Sequence, residues 1–212
     1  MIILALDTCL GACSVAVVRD GEVVAQLSEA MTRGHQEHLG PMVRAALAEA
    51  GIQPTALDRI GVTVGPGSFT GLRVGLAFAK GMALALDRPC IGVGTLEALA
   101  ASYPGPGRTM AVIDGGRGNV YLQIFVSGRA LTAPDVATVE TAAARMLEVH
   151  GDHAVTLIGP GAGLLSEVLP AAMIADLTSP SPAAVAQLVR TADIIPPRPL
   201  YLRPPDAKPK AP

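Results

Sequence analysis

Two aspartates, Asp7 and Asp114, each close a short apolar run that reads as a β-strand, Ile2 to Asp7 and Thr109 to Asp114. Carboxylates in that position can hold Mg²⁺ against a phosphate, because Mg²⁺ takes one or two carboxylates and completes its shell with water and phosphate oxygens. Thr8 and Ser14, with the backbone amides around them, would share that site. The plainer reading is inherited topology, in which each aspartate caps a turn and handles no phosphate. The segment Gly65-Pro66-Gly67-Ser68-Phe69-Thr70-Gly71 lies between a predicted strand and a predicted helix, the setting of a phosphate cradle. Its spacing fits neither known cradle. No Gly-Lys-Ser/Thr follows, and the glycines are one residue too far apart for the dinucleotide fingerprint. Ser68 lacks the flanking glycines of a nucleophile elbow, since Pro66 and Thr70 stand there. His35 and His38 are three apart with no further metal ligand in view, so they read as a solvated or capping pair at a helix start.

The elements that position these residues follow from periodicity and turn chemistry. Strands are predicted at Ile2–Asp7, 13–18 and 22–28, with Asp20-Gly21 as a hairpin turn. A helix follows, with Leu39, Met42, Val43, Ala46, Leu47 and Ala50 on one face and Gly51 as its stop. Then come a strand ending at Val64, the glycine-rich segment, a long helix capped by Ser68 or Thr70, a strand at 90–93 and a helix from Thr95. Tyr103-Pro104-Gly105-Pro106-Gly107 is a breaker cluster. Beyond it the order repeats in weaker form, with strands at 109–114, 119–126, 135–138, 154–158 and 171–174. Helices are predicted at 141–150, just after Gly159–Gly163, and from Ser181-Pro182 to about Arg190. Two copies of one βββαβαβα unit result: a first lobe at 1–103, a smaller second lobe at 108–194 and a Pro-rich extended tail at 195–212.

Composition narrows the function. Half of the 212 residues are hydrophobic but only 3% are aromatic and none is Trp, so the core is aliphatic. A net charge of −2 is a poor balance for gripping nucleic acid unaided. Three cysteines fit neither a disulfide framework nor a zinc site and read as small apolar residues in a reducing compartment. No signal peptide is apparent, and the longest apolar stretch, Leu72 to Leu86, is short for a bilayer and carries Arg73 and Lys80. A cytoplasmic protein is expected.

Surface contact is the remaining chemistry. Gly71, Gly75, Ala79 and Ala83 recur every four residues and share one helix face. Glycine inside a helix costs about 1 kcal/mol relative to alanine, so the repeat points to close packing within the chain or against a partner. With Leu72 and Leu76, and Leu39, Met42, Val43 and Ala46 on the preceding helix, it forms a candidate interface that Arg73 and Lys80 would orient.

The duplicated order resembles the actin-like ATPase fold of sugar kinases, Hsp70 and actin, as two RNase H-like lobes with the second reduced. LALDTCLGACSVAVV resembles the first phosphate-loop strand pair of that fold. GPGSFTGLRVGLAFAKGMA, HQEHLGPMV, AVIDGGRGNVYLQIF and PLYLRP are similar, in order, to segments of the TsaB (YeaZ) family, over residues 1–203. Asp114-Gly115-Gly116-Arg117 departs from that family's Asp-Ala-Arg-Arg and removes a cation. The resemblance implies a non-catalytic subunit in the formation of N6-threonylcarbamoyladenosine at tRNA position 37. Such a subunit pairs with the transferase TsaD, helps recruit the ATPase TsaE and forms homodimers alone. It also implies that tRNA is reached only through the complex, and that Asp7, Thr8 and Asp114 are vestiges of a nucleotide site. No cofactor is implied for the chain alone; ATP or ADP with Mg²⁺ would belong to the complex. The rival readings are an ATPase or kinase of the same fold, a stand-alone homodimeric regulator and, lacking a nucleophile–base pair, a protease.

Overall fold

The computed structural model describes residues 1–150 and 154–203. Three strands open the chain, β1 (Ile2–Asp7), β2 (Ala12–Arg19) and β3 (Glu22–Ala30). Asp20 and Gly21 turn β2 into β3 with φ of 54° and 96°, the backbone that a two-residue hairpin demands. α1 (His35–Glu49), β4 (Arg59–Thr63), α2 (Phe69–Leu86), β5 (Cys90–Val93) and α3 (Thr95–Ala101) complete the first half. Sheet one has the order β3-β2-β1-β4-β5, with β1, β4 and β5 parallel and β2 antiparallel to both neighbours.

The second half repeats that plan with β6 (Arg108–Gly116), β7 (Asn119–Val126), β8 (Arg129–Ala130), β9 (Asp135–Thr138), α4 (Val139–His150), β10 (Val155–Ile158), β11 (Met173–Ile174) and α5 (Pro182–Thr191). Its order is β11-β10-β6-β7-β8, with β9 also paired to β7. β6 therefore takes the place of β1, and β10 that of β4. The counterpart of α2 shrinks to a 3₁₀ turn at Ala162–Leu165. The β6–β7 hairpin turns on Arg117 and Gly118, both at positive φ.

Helix packing reaches across the two predicted lobes, 1–103 and 108–194. α5 belongs to the second half of the sequence yet covers sheet one, where Val185, Ala186 and Val189 pack with Ile3, Ala5, Val18, Ile91 and Val93. Sheet one is thus buried on both faces, α1 and α2 on one and α5 on the other. Gly61 of β4 marks the contact, since a Cβ there would lie 2.2 Å from Val189 Cγ2. α3 packs in turn against β6 and β7, so it bridges the two sheets.

α2 starts three residues before the apolar run seen in the sequence. At 18 residues it is long and apolar enough to cross a membrane by length and composition. One of its faces packs instead on sheet one. Its first turn is capped by the Ser68 hydroxyl, which accepts from the Gly71 amide at 3.2 Å. Ser181 occupies the expected cap position of α5, but its side chain makes no capping bond.

Candidate functional site

β1 ends at Asp7, beside the end of β4 and under the start of α2. Asp7 is wholly buried. Its Oδ1 accepts from the Thr63 hydroxyl at 2.6 Å and the Cys9 amide at 3.1 Å, while Oδ2 is buried without a partner. Desolvation dominates its ionisation and pushes the carboxyl up to about 6, against the pull of the Thr63 and backbone hydrogen bonds. Thr8 is equally buried and donates to the Gly71 carbonyl at 2.7 Å. Ser14 shares a 2.8 Å hydrogen bond with Ser28. Asp114 is exposed and accepts from the Gly116 amide of its own turn at 2.7 Å.

These contacts enclose the Asp7–Thr8 corner within the chain. Asp7 and Thr8 present no surface to a phosphate, and their polar atoms fasten α2 to the strand ends. The physical reason is the approach of α2: a Cβ on Gly71 would stand 2.0 Å from the Thr8 carbonyl oxygen, and one on Gly75 2.4 Å from the Thr8 hydroxyl. His35 and His38 diverge as well. His35 is buried, while His38 is exposed and bonds Glu29 at 2.8 Å. Among the described residues no three His, Cys, Asp or Glu side chains stand together as a metal site.

The same packing encloses most of the candidate interface residues within the chain. Gly71, Leu72, Gly75, Leu76, Ala79 and Ala83 are buried within the chain, as are Leu39, Met42, Val43 and Ala46 of α1. The small stripe serves close packing against the chain's own β1–β2 connection and sheet. Arg73 and Lys80 remain exposed as expected, and Ala77 joins them on that outer face. Leu84 is 85% exposed and Phe69 53%. At one end of this face the Arg73 guanidinium lies 3.7 Å over the Phe69 ring and donates to the Tyr201 hydroxyl at 3.3 Å. Sequence reasoning missed Phe69, Ala77 and Tyr201. The available signal was that α2 carries apolar residues all round, more than one sheet can cover.

The family model of TsaD, tRNA N6-adenosine threonylcarbamoyltransferase, matches residues 22–191. The tRNA threonylcarbamoyladenosine biosynthesis protein TsaB of Bacillus subtilis is 31% identical over 172 residues, 80% of this chain and 75% of the relative. The chain belongs to the TsaB (YeaZ) family. A solved structure from Pseudomonas aeruginosa, described as similar to peptidase YeaZ, is 30% identical with a TM-score of 0.83, covering 95% of this chain and 99% of that one. The ethanolamine utilization protein EutJ of Carboxydothermus hydrogenoformans shares the fold alone, at 13% identity and a TM-score of 0.52 over 88% of this chain and 89% of its own. TsaB membership and the two mixed sheets bear out the actin-like fold read from the duplicated element order.

Membership in the TsaB family also places the chain in threonylcarbamoyladenosine biosynthesis. In this TsaB-family chain the Asp7–Thr8 corner is buried, and among the described residues Leu84 on the outer face of α2 is the most exposed large hydrophobic side chain.

Proposed function

We propose that this chain is a non-catalytic subunit of the machinery that adds threonylcarbamoyl to N6 of adenosine 37 in tRNA, pairing with TsaD and helping to recruit TsaE. The observation that carries the reading is the outer face of α2, where Leu84 is 85% exposed beside Ala77 and Lys80. Covering a leucine side chain contributes about 1.5–3 kcal/mol, so a few such residues can anchor a pairing. In isolation the same face would serve a homodimer, because a self-complementary patch needs no second surface. The sealed Asp7 and Thr8 support a subunit that needs no nucleotide of its own; ATP or ADP with Mg²⁺ then belongs to the complex. A net charge of −2 supports contact with tRNA through the complex, in the cytoplasm where tRNA is modified.

The test is reconstitution with TsaD, TsaE, tRNA and the threonylcarbamoyl-adenylate donor. Threonylcarbamoyladenosine should form only when the chain is present, and Leu84→Asp should lower its yield at least about tenfold while circular dichroism stays unchanged. Equal product without the chain overturns the reading.

A further inference from the structure

A second feature lies away from α2, where the tail passes between the lobes. Residues 197–203 run as a strap over the ends of β4 and β5. Pro197 is buried against Gly92, where a Cβ would come within 2.9 Å of it. The Leu200 amide donates to the Val64 carbonyl at 2.7 Å. Arg203 Nη1 reaches the second lobe and donates to the Gly115 carbonyl at 3.1 Å. The strap is therefore fixed at both ends and forms a built wall.

Under it is a cleft of about 370 Å³, bounded by both lobes. Val64, Leu96, Pro134 and Leu200 supply apolar walls. Three polar groups on the lining are unspent. Gln123 is 2% exposed, and its Nε2 donates to the Thr132 carbonyl at 3.0 Å while its Oε1 is buried without a partner. Glu97 of α3 and Arg198 of the strap line the same cleft, both exposed and neither in an ion pair among the described residues. A buried acceptor left unpaired is costly, and an N–H brought by a ligand relieves the cost.

We propose that this cleft binds a zwitterion of amino-acid or dipeptide size with an apolar side chain. The carboxylate pairs with the Arg198 guanidinium, whose planar fork matches it in two hydrogen bonds. Glu97 balances the ammonium charge, and Gln123 Oε1 accepts one of its protons. The side chain lies against Val64, Leu96 and Pro134. One anion, one cation and one neutral acceptor on a mostly apolar wall suit a ligand carrying both charges better than one carrying either alone.

The experiment is calorimetric titration of the full chain with L-leucine and L-leucyl-L-leucine, beside isovalerate, isoamylamine and ADP. Saturable binding of a zwitterion is expected, with each singly charged analogue at least about tenfold weaker. Arg198→Ala and Glu97→Ala, both at exposed side chains, should each weaken binding about tenfold with an unchanged melting temperature. No saturable signal up to about 20 mM overturns the proposal. So does equal binding of the singly charged analogues, preference for ADP, or undiminished binding by both variants.

Discussion

Asp7 shows how a residue of a type that could do chemistry can be enclosed by packing. Its type and its place at a strand end were legible in the sequence; its burial was not, because nothing local reveals that α2 would close over it. The burial has a pH signature. The folded carboxyl titrates at about 6 against 3.8 when unfolded, so the folded state binds the proton more tightly. The resulting stabilisation is complete below the unfolded value and is lost as pH rises through about 6. Acidifying from pH 7.5 to 5 should therefore raise unfolding stability by about 1–2 kcal/mol, and Asp7→Asn should remove that gain. Denaturant melts of the two proteins at both pH values check it; parallel profiles would mean that Asp7 does not titrate on folding. The cysteines are free thiols, Cys9 and Cys13 buried and Cys90 half-buried. Burial pushes the Cys9 thiol up to about 12 and those of Cys13 and Cys90 to about 11. A thiol reagent at pH 8 should react slowly with the native chain and count all three cysteines once denaturant is added.

For the elements, the four-residue repeat of small side chains on α2 was legible as close packing, but not the side on which the packing would fall. A stripe with no bulk serves an intramolecular neighbour and a partner equally well. Here the neighbour is the Thr8 backbone and hydroxyl, so Gly75→Leu is expected to unfold or aggregate the chain rather than to spare the fold and break a pairing. Even Gly75→Ala should cost about 1–3 kcal/mol, the usual penalty of overpacking. The contact between Gly61 and Val189 allows a sharper measurement, because both members can be changed. Gly61→Ala should destabilise by a similar amount, about 1–3 kcal/mol. In the Val189→Ala background the same change should cost much less, since the Cγ atoms that meet the new Cβ at 2.2 and 3.2 Å are then gone. Additive losses in that double-mutant cycle would mean that α5 does not rest on β4.

In the whole molecule, the duplication was legible because each half repeats its turns, strands and aspartate in the same order. The sharing of helices between halves was not, since an amphipathic helix shows that it covers a sheet without saying which. α5 caps a face of sheet one built from Ile3, Ala5, Val18, Ile91 and Val93, and α3 bridges to β6 and β7. Arg59 ties the arrangement further by donating to the Val189 and Ala192 carbonyls at the end of α5, at 2.9 and 3.1 Å. Two lobes joined in this way cannot melt apart without exposing a core face, so the full chain should unfold in one cooperative transition with calorimetric and van't Hoff enthalpies that agree. The fragment 1–103 lacks α5 and would present that face to water. It should show molten-globule behaviour, with dye binding and no dispersed methyl resonances, whereas independent lobes would give a folded fragment and two transitions for the whole chain. The one-domain outcome carries a consequence for pairing. Force applied at the outer face of α2 passes through Thr8 to β1, and through sheet one to α5 and the second lobe, so a partner seated there acts on the entire molecule rather than on a detachable half.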